Sequence, residues 1–164
     1  ARHYQTGKPM PQELIDKFKA SANFGQSYAL GENLASVTID MAWGLLPAGT
    51  KITDVDAFER EALTKSGLPF TLVPPRYRSA YYLHVFGGGY ASGYYSYLWT
   101  EVLDDNIFDW FQAHGGMTRE NGQRFRDLVI SRGNTNPVGT FFTEFTGLTE
   151  PDMSSLLRSR GLAK

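Results

Sequence analysis

The sequence contains no cysteine, and this absence removes several kinds of chemistry at once. Disulfide bonds, thiolate nucleophiles and cysteine-ligated zinc sites are all excluded. The 164 residues carry a formal net charge of −1, which gives no electrostatic reason for binding nucleic acid or an anionic membrane. No apolar run approaches the length that crosses a membrane. We therefore expect neither nucleic acid nor a membrane among the partners of this chain.

Histidine is also scarce, with residues only at His3, His84 and His114. A helical zinc site uses two histidines four residues apart, because both imidazoles then leave one face of the helix, and a glutamate between them acts as base. No two of these histidines have that spacing, so the sequence predicts no metal ligands of this type. A serine triad is no better supported, since residues 93–96 do not fit G-x-S-x-G.

The pattern of apolar residues predicts an all-α fold. Hydrophobic residues make up 41% of the chain and charged residues 20%, as in ordinary globular proteins. Apolar positions recur at helical spacing between proline and glycine breaks, with no alternation of period two and no internal repeat. A proline-bounded loop is predicted over residues 68–75 and a second break at residues 87–89. Seven helices are predicted. The first begins after Pro11, the second spans about 26–46, and the third begins after a cap at Thr53 and ends at Ser66. The other four span about 92–111, Thr118 to Gly133, Pro137 through Phe145, and Pro151 to Gly161.

Residues 81–99 form the most informative segment, because several tyrosines surround His84 and the consecutive glycines Gly87, Gly88 and Gly89. Glycine lets a backbone approach a ligand closely, and a tyrosine hydroxyl is a neutral donor that can face a developing oxyanion. The segment therefore suits a site that holds a peptide backbone. A phosphate-binding loop is disfavoured, since no lysine follows the glycines and no strand precedes them. His84, taken alone, is more often structural than catalytic.

Tyr90, Tyr94 and Tyr97 are spaced by four and three residues, so they would share one face of a helix. On spacing alone, the favoured interpretation is a set of core aromatics with satisfied hydroxyls, and a substrate-facing set is the alternative. Tyr95 and Trp99 would lie on another flank, and we expect them in the core.

A resemblance to a known family rests on residues 84–99, which read H-V-F-G-G-G-Y-A-S-G-Y-Y-S-Y-L-W. This segment resembles the signature near the C-terminal end of thimet-oligopeptidase-like zinc metallopeptidases. The resemblance continues in residues 4–7, 73–78, 124–126 and 131–133, and so covers nearly the whole chain. The triple glycine and the preceding P-P-R-Y-R resemble the bacterial peptidyl-dipeptidases (dipeptidyl carboxypeptidases) more than the endopeptidase branch. Those enzymes remove dipeptides from free peptide C-termini.

The resemblance implies an all-helical, two-lobed fold with a deep substrate channel. In that family, two histidines of H-E-x-x-H and a glutamate on the next helix hold zinc. None of these ligands has a counterpart here, so we expect residues 1–164 to be a single helical segment, the C-terminal part of a catalytic domain whose metal motif lies upstream. The start at Ala1, without a methionine, fits that expectation. We expect zinc in the full-length enzyme, none bound by this chain, and no peptidase activity from the chain alone.

The resemblance also implies roles for individual residues. Tyr97 and Tyr90 are the expected catalytic residues, each pointing a hydroxyl at the scissile carbonyl oxygen. His84 is expected to hydrogen-bond the substrate near the zinc. Residues 87–89 are expected to form a flexible loop over the peptide, and Tyr94 to line the cleft. Zinc would polarise the carbonyl and activate water, an upstream glutamate would take the proton, and tyrosine would stabilise the tetrahedral oxyanion.

Two arginines are candidates for binding the substrate's C-terminus. A dipeptide-releasing enzyme must recognise a free carboxylate, and the planar guanidinium of arginine meets a carboxylate with two hydrogen bonds. Arg76 and Arg78 lie just before His84 in the sequence. The alternative is that both are surface arginines beside a proline-containing loop.

Two classes of function therefore remain open on the sequence. The first is the C-terminal part of a peptidase, with a peptide substrate and the missing N-terminal portion of the same protein as partners. The second is a self-standing helical module that binds peptides without chemistry. We expect a cytoplasmic location, with the periplasm as the alternative. The first class also predicts apolar surface that the missing portion would cover, with candidates at Leu34, Val37, Met41 and Phe111.

Overall fold

The computed structural model describes residues 2–68 and 72–163, and the predicted all-α fold is confirmed for them. An isolated bridge joins Arg2 to Pro9, and the described ranges contain no β-strand. Short 3-10 helices lie at Ser79–Tyr81 and Ile130–Arg132. The α-helices are α1 (Gln12–Ser21), α2 (Gln26–Gly44), α3 (Val55–Lys65), α4 (Leu83–Phe86), α5 (Ser96–Ala113), α6 (Arg119–Leu128), α7 (Val138–Thr146) and α8 (Met153–Ser159).

Helix α2 is the element on which the other elements in the first half of the chain pack. Its buried positions are Ala35, Ser36, Ile39 and Asp40, whose spacing places them on one side of the helix. Apolar residues from the following elements pack on this side and form one hydrophobic core. They are Leu63 of α3, Tyr82, Val85 of α4, and Tyr94.

Helix α3 holds the segment that leads towards residues 81–99. Asp54 caps its first turn by accepting a hydrogen bond from the Ala57 N–H at 2.8 Å, so the cap lies one residue beyond the predicted Thr53. Glu59 of α3 is buried, and its Oε1 accepts from the Ser79 N–H at 2.6 Å. These bonds fix residues 78–79 against α3.

The second half of the chain is built around α5. Buried Asn106 donates to the Asp152 carbonyl at 2.9 Å and accepts from the Asp152 N–H at 2.8 Å, which attaches the start of α8 to α5. At the other end of α8, Arg160 donates two hydrogen bonds to the Glu101 carboxylate, at 2.6 and 2.7 Å. It also reaches Gln26 in the first turn of α2 at 3.2 Å. These contacts join the two halves.

A group of aromatic rings, here called the phenylalanine cluster, connects α5, α6 and α7. It consists of Trp110, Phe111, Phe125 and Phe145. The ring centroids of contacting pairs lie 4.4 to 5.9 Å apart. Phe111 is therefore buried inside the chain, and the prediction that it forms exposed apolar surface is wrong. The α2 candidates Leu34, Val37 and Met41 are partly buried.

The predicted helices exist, but several begin or end elsewhere. Helix α5 begins at Ser96 rather than near residue 92, because residues 91–95 form a turn. Helix α6 ends at Leu128, and a 3-10 helix leads to Gly133, whose φ of 55° breaks the helix. Helices α7 and α8 follow Pro137 and Pro151 as predicted. Residues 69–71 of the predicted loop lie outside the described residues.

Candidate active site

Helix α2 holds the segment 76–82 through two backbone carbonyls and the side chain of the buried Ser36. The Glu32 carbonyl accepts from the Arg76 N–H at 3.0 Å. Ser36 Oγ accepts from the Tyr77 N–H at 2.9 Å, and the Ser36 carbonyl accepts from the Tyr82 hydroxyl at 3.2 Å. These three bonds place the tyrosines of the segment at defined positions along α2.

Six rings then meet beside α2, and we call this group the tyrosine cluster. Its members are His84, Tyr77, Tyr82, Tyr90, Tyr94 and Tyr97. Contacting rings have centroids 5.1 to 6.1 Å apart, which is the range of packed aromatic pairs. The cluster therefore unites the predicted catalytic and substrate-binding side chains of residues 84–97 in one place.

The exposed end of the cluster is the pair Tyr90 and Tyr97. Their rings are stacked, with centroids 5.5 Å apart and an angle of 19° between the planes. A hydrogen bond between their hydroxyls is the main cause that raises the pKa of Tyr97 above its ordinary 10.0. Tyr90 is 38% exposed and Tyr97 is 43% exposed. The pair thus presents its hydroxyls at the surface of the described residues, and the raised pKa of Tyr97 favours the protonated form that an oxyanion donor requires.

The helical spacing predicted that Tyr90 and Tyr97 lie close together, but the two residues do not share one helix. Only Tyr97 lies in α5, in its first turn, whereas Tyr90 precedes the turn formed by residues 91–95. The turn, rather than a shared helical face, brings the two rings together. The catalytic role of both residues stays a prediction.

His84 lies in the short helix α4, which the sequence did not predict. Its ring is partly buried and contacts both ends of the cluster, with centroid distances of 5.3 Å to Tyr77, 6.1 Å to Tyr90 and 6.0 Å to Tyr94. The imidazole is therefore adjacent to the exposed tyrosine pair. Its contact with substrate stays a prediction.

The glycine run folds back tightly over α4. Gly87 donates its N–H to the Leu83 carbonyl at 2.8 Å, and Tyr90 donates its N–H to the His84 carbonyl at 3.1 Å. A Cβ on Gly88 would lie 2.8 Å from the His84 carbonyl oxygen, and Gly89 has a φ of +83°. Gly88 is thus explained by close backbone packing, and Gly89 by its left-handed backbone conformation. The role of residues 87–89 as a flexible loop over the peptide stays a prediction.

Tyr94 lies in the interior of the cluster. It is 5% exposed, and its ring contacts Tyr82 at 5.2 Å and Tyr97 at 5.1 Å. Burial raises the pKa of the Tyr94 hydroxyl. The predicted position in the cleft wall is untested, and the structure gives the ring a packing contact with the exposed pair.

The two candidate arginines lie in different surroundings. The Arg76 guanidinium is 5.7 Å from the centroid of the Tyr77 ring, and a hydrogen bond to Tyr77 is the main cause that raises its pKa. Arg78 donates from Nε to Glu59 at 2.8 Å and also pairs with Asp56. The structure therefore brings Arg76 to the tyrosine cluster and Arg78 to α3.

The part of the chain that the structure describes offers neither a metal-binding group of side chains nor a membrane-spanning helix. Within residues 2–68 and 72–163, no group of three or more His, Cys, Asp or Glu side chains is placed to hold a metal ion. The residues present therefore do not fit the zinc site that the resemblance implies. Over the same ranges, no helix has both the length and the apolar character that a membrane span needs.

Several residues that build the site were missed by the sequence analysis. Asp40, Ser36 and Glu59 are buried polar groups that hold the segments carrying the tyrosines. The signal for Asp40 was present, since it is a carboxylate within the apolar stripe of α2, next to Ile39. Neither Ser36 nor Glu59 stands out in this way, because both residue types are common on exposed helix faces.

Comparison with known proteins assigns the class of the chain. The model of peptidase family M3 matches residues 1–162, and the chain belongs to this family. The predicted resemblance is confirmed at this level.

Particular relatives refine the assignment. The chain is 44% identical over 162 residues to the dipeptidyl carboxypeptidase of Escherichia coli K12, covering 99% of this chain and 24% of that protein. It is 43% identical over 162 residues to the dipeptidyl carboxypeptidase of Salmonella typhimurium LT2, again covering 99% and 24%. To oligopeptidase A of Escherichia coli K12 it is 35% identical over 164 residues, covering 98% and 23%. The chain thus spans about a quarter of the length of these relatives.

Proposed function

We propose that this chain is the C-terminal part of a zinc-dependent peptidyl-dipeptidase, which hydrolyses peptides to release C-terminal dipeptides. The observation that carries the proposal is the stacked, exposed pair of Tyr90 and Tyr97 beside His84. Family membership and the similarity to dipeptidyl carboxypeptidases support it. We infer a cytoplasmic location, with the periplasm as the alternative.

The tyrosine pair supplies the oxyanion donor in this proposal. Attack of water on a peptide carbonyl places negative charge on the carbonyl oxygen, and a preorganised donor stabilises that charge in the transition state. A tyrosine is protonated at neutral pH, and the raised pKa of Tyr97 extends that state to higher pH. Its stacking on Tyr90 limits the movement of the ring before substrate binds. Tyr97 therefore donates to the oxyanion, and Tyr90 supports it from the adjacent position.

Arg76 is the anchor that we propose for the substrate's free carboxylate. It lies over Tyr77 at the tyrosine cluster, so a carboxylate held there would be close to the tyrosine pair. Arg78 is less suited, because its guanidinium bonds Glu59 and Asp56 and supports α3. A fixed distance between anchor and tyrosine pair would make the enzyme release pieces of constant length. This is the property that separates an exopeptidase of this kind from an endopeptidase.

The zinc ligands and the general base would come from a preceding portion of the full-length protein. Bound zinc would supply Lewis-acid activation of the carbonyl and of water. The residues of this chain would bind the peptide, orient it and donate a hydrogen bond to the oxyanion. We therefore propose that the chain alone is inactive.

The test uses the full-length protein and two peptides that differ only in C-terminal amidation. Wild type should release dipeptides from the free acid and act poorly on the amide, because the amide cannot form the charged bidentate contact. Arg76→Met should abolish this preference. Arg78→Met is the matched control, and it should retain the preference.

Three results would contradict parts of the proposal. If the preference for the free acid over the amide survives Arg76→Met, then Arg76 is not the anchor of the carboxylate. Equal cleavage of both peptides at internal bonds would assign the protein to the endopeptidase branch. Peptide binding without cleavage would favour the non-catalytic helical module.

A further inference from the structure

Asp40 is a buried carboxylate that the proposed chemistry does not use. It is 1% exposed and lies beside Ile39 on the core-facing side of α2. Removing an ionised carboxylate from water is unfavourable unless hydrogen bonds satisfy its oxygens. An apolar residue at this position would pack on the same core without that penalty. The presence of a carboxylate therefore points to the groups that it binds.

Both oxygens of Asp40 accept hydrogen bonds from one turn. Oδ1 accepts from the Ser92 N–H at 2.8 Å, and Oδ2 accepts from the Tyr94 N–H at 2.9 Å. Ser92 has a φ of 55°, a left-handed conformation that residues with a side chain adopt rarely. Two bonds to one planar carboxylate fix both the position and the rotation of the turn, which a single bond would not do.

A second contact from α2 acts on the same turn. A Cβ on Gly44 would lie 1.8 Å from Ser92 Oγ, so the turn rests directly on the helix backbone at this glycine. Gly44 follows Asp40 by four residues and therefore lies on the same face of α2. The carboxylate and the glycine thus hold the turn at two neighbouring points.

The position of the turn determines the position of the exposed tyrosines. Tyr94, whose N–H binds Asp40, places its buried ring 5.1 Å from Tyr97 and 6.0 Å from His84. Helix α5 begins at Ser96, immediately after the turn, and Tyr97 lies in its first turn. Tyr90 precedes the turn, and its N–H is bound to the His84 carbonyl at 3.1 Å. Displacement of the turn would therefore move both members of the stacked pair.

We propose that Asp40 is a positioning residue, which holds residues 91–95 so that the hydroxyls of Tyr90 and Tyr97 meet the substrate carbonyl. This inference rests on the proposed peptidase function. Asp40 acts through the turn and the Tyr94 ring, and it touches no substrate. Gly44 supports the same placement by leaving room for Ser92.

The test is a double-mutant cycle in the full-length protein, with Asp40→Asn, Tyr97→Phe and the combination. Asparagine keeps the shape of the side chain but replaces one acceptor oxygen by an amide nitrogen that cannot accept an N–H. We expect Asp40→Asn to lower kcat by about 10-fold to 100-fold, as a misplaced catalytic group does. KM should change by less than about threefold, because the tyrosine acts mainly in the transition state.

The cycle separates positioning from simple stability. If Asp40 acts through Tyr97, then Asp40→Asn should lower kcat by less than about threefold once Tyr97 is already phenylalanine. An equal loss of kcat in both backgrounds would overturn the proposal, because Asp40 would then act independently of the tyrosine hydroxyl.

Two further variants keep the test decisive. Gly44→Ala should displace the same turn without altering the carboxylate. It should therefore lower kcat in the wild-type background and much less in the Tyr97→Phe background. It replaces Asp40→Asn in the cycle if that variant does not fold. Asn106→Ala is the matched control, since this buried side chain anchors the Asp152 backbone in the other half of the chain. It should lower the Tm while kcat stays within about twofold of wild type, because it lies apart from the tyrosine turn.

The outcomes distinguish this inference from the proposed function. A full-length protein without peptidase activity, or one insensitive to Tyr97→Phe, would overturn the proposed function and this inference with it. An active protein that is sensitive to Tyr97→Phe, with kcat unchanged by Asp40→Asn and by Gly44→Ala, would overturn the positioning role alone.

Discussion

The tyrosine cluster and the phenylalanine cluster pack their rings at similar distances but differ in exposure and in polar groups. Contacting rings lie 5.1 to 6.1 Å apart in the first and 4.4 to 5.9 Å apart in the second. Phe145 is fully buried, whereas Tyr90 and Tyr97 are exposed and stacked on each other, each with a hydroxyl at the surface of the described residues. The same aromatic packing therefore supports the fold in one half and presents hydrogen-bond donors in the other.

Each cluster also has an arginine beside it, and the two arginines are used differently. Arg124 lies 5.3 Å from the Trp110 ring and 5.6 Å from the Phe145 ring. Its Nη2 donates to the carbonyls of Glu144 and Phe145 at 3.0 and 3.1 Å, in the last turn of α7. Arg76 instead lies beside the Tyr77 ring, 5.7 Å from its centroid. A carboxylate bound to Arg124 would compete with the bonds that this arginine makes at the end of α7, whereas a carboxylate bound to Arg76 would not disturb a helix end.

The largest effect on stability is expected in the phenylalanine cluster. Phe145→Ala should lower the free energy of unfolding by about 3–5 kcal/mol, because it leaves a cavity among three rings. Denaturant unfolding of the full-length protein measures this loss. The kcat of the folded fraction should stay unchanged. A selective loss of kcat with normal stability would abolish the division between the clusters.

The largest effect on activity is expected at the exposed tyrosine pair. Tyr97→Phe should lower kcat by about 10²–10³-fold with little change in KM, as for a donor used mainly in the transition state. Steady-state kinetics of the full-length protein measures both constants. Tyr95→Phe is the matched control, because Tyr95 lies two residues before Tyr97 but outside the cluster, and it should be near neutral. Equal small effects at the two positions would make the pair structural.

A smaller effect separates the two arginines of the segment 76–78. Arg78→Met should lower the free energy of unfolding by about 1–3 kcal/mol, because it removes the Nε donor to the buried Glu59 carboxylate. Arg76→Met should change it by less than about 0.5 kcal/mol, as expected for an exposed side chain. Paired unfolding curves measure both. The reverse order would indicate that Arg76 supports the fold.

The last effect appears only at alkaline pH, and it is a pH dependence of stability that arises in the tyrosine cluster. Burial raises the pKa of Tyr82 and of Tyr94 above the ordinary 10.0. A group whose pKa is higher in the folded state contributes stability that is complete below its unfolded pKa and declines as pH rises beyond it. The free energy of unfolding should therefore fall above pH 10 by up to about 1.4 kcal/mol per pH unit for each such tyrosine.

Unfolding curves across the alkaline range test this prediction, with the tyrosinate absorption band as a second signal. Tyr82→Phe keeps the ring contact with Tyr94 and removes one ionisable group, so its stability should decline less steeply. Parallel curves for wild type and Tyr82→Phe would contradict the prediction. The rings of the phenylalanine cluster do not ionise and should add nothing to the slope.

The sequence predicted the helices best where local signals were strong. Pro137 before α7 and Pro151 before α8 mark helix starts through the fixed φ of proline. The start of α5 was misplaced by about four residues, because local propensity does not contain the bonds that Asp40 makes to Ser92 and Tyr94. Tertiary hydrogen bonds therefore set the boundary that matters most for the site.

The candidate site was predicted in part. The residue types of His84, Tyr90 and Tyr97 indicated their chemistry, and the structure brings all of them together. The division between Arg76 and Arg78 could not be predicted, since it depends on the position of Glu59, which is nineteen residues away in sequence. Tyr95 and Trp99 were wrongly expected in the core, because amphipathic spacing does not reveal which flank of α5 is covered within this chain.

The stacking of Tyr90 on Tyr97 also gives the protein an intrinsic optical signal. Aromatic rings held in fixed asymmetric contacts produce near-ultraviolet circular dichroism, and the signal disappears when side-chain packing loosens even if the helices remain. The pair, with centroids 5.5 Å apart, belongs to a set of six coupled rings that bridge α2, α4 and α5. The tyrosine bands of the spectrum therefore report whether this surface is assembled, in solution and without a substrate, a metal or an attached dye.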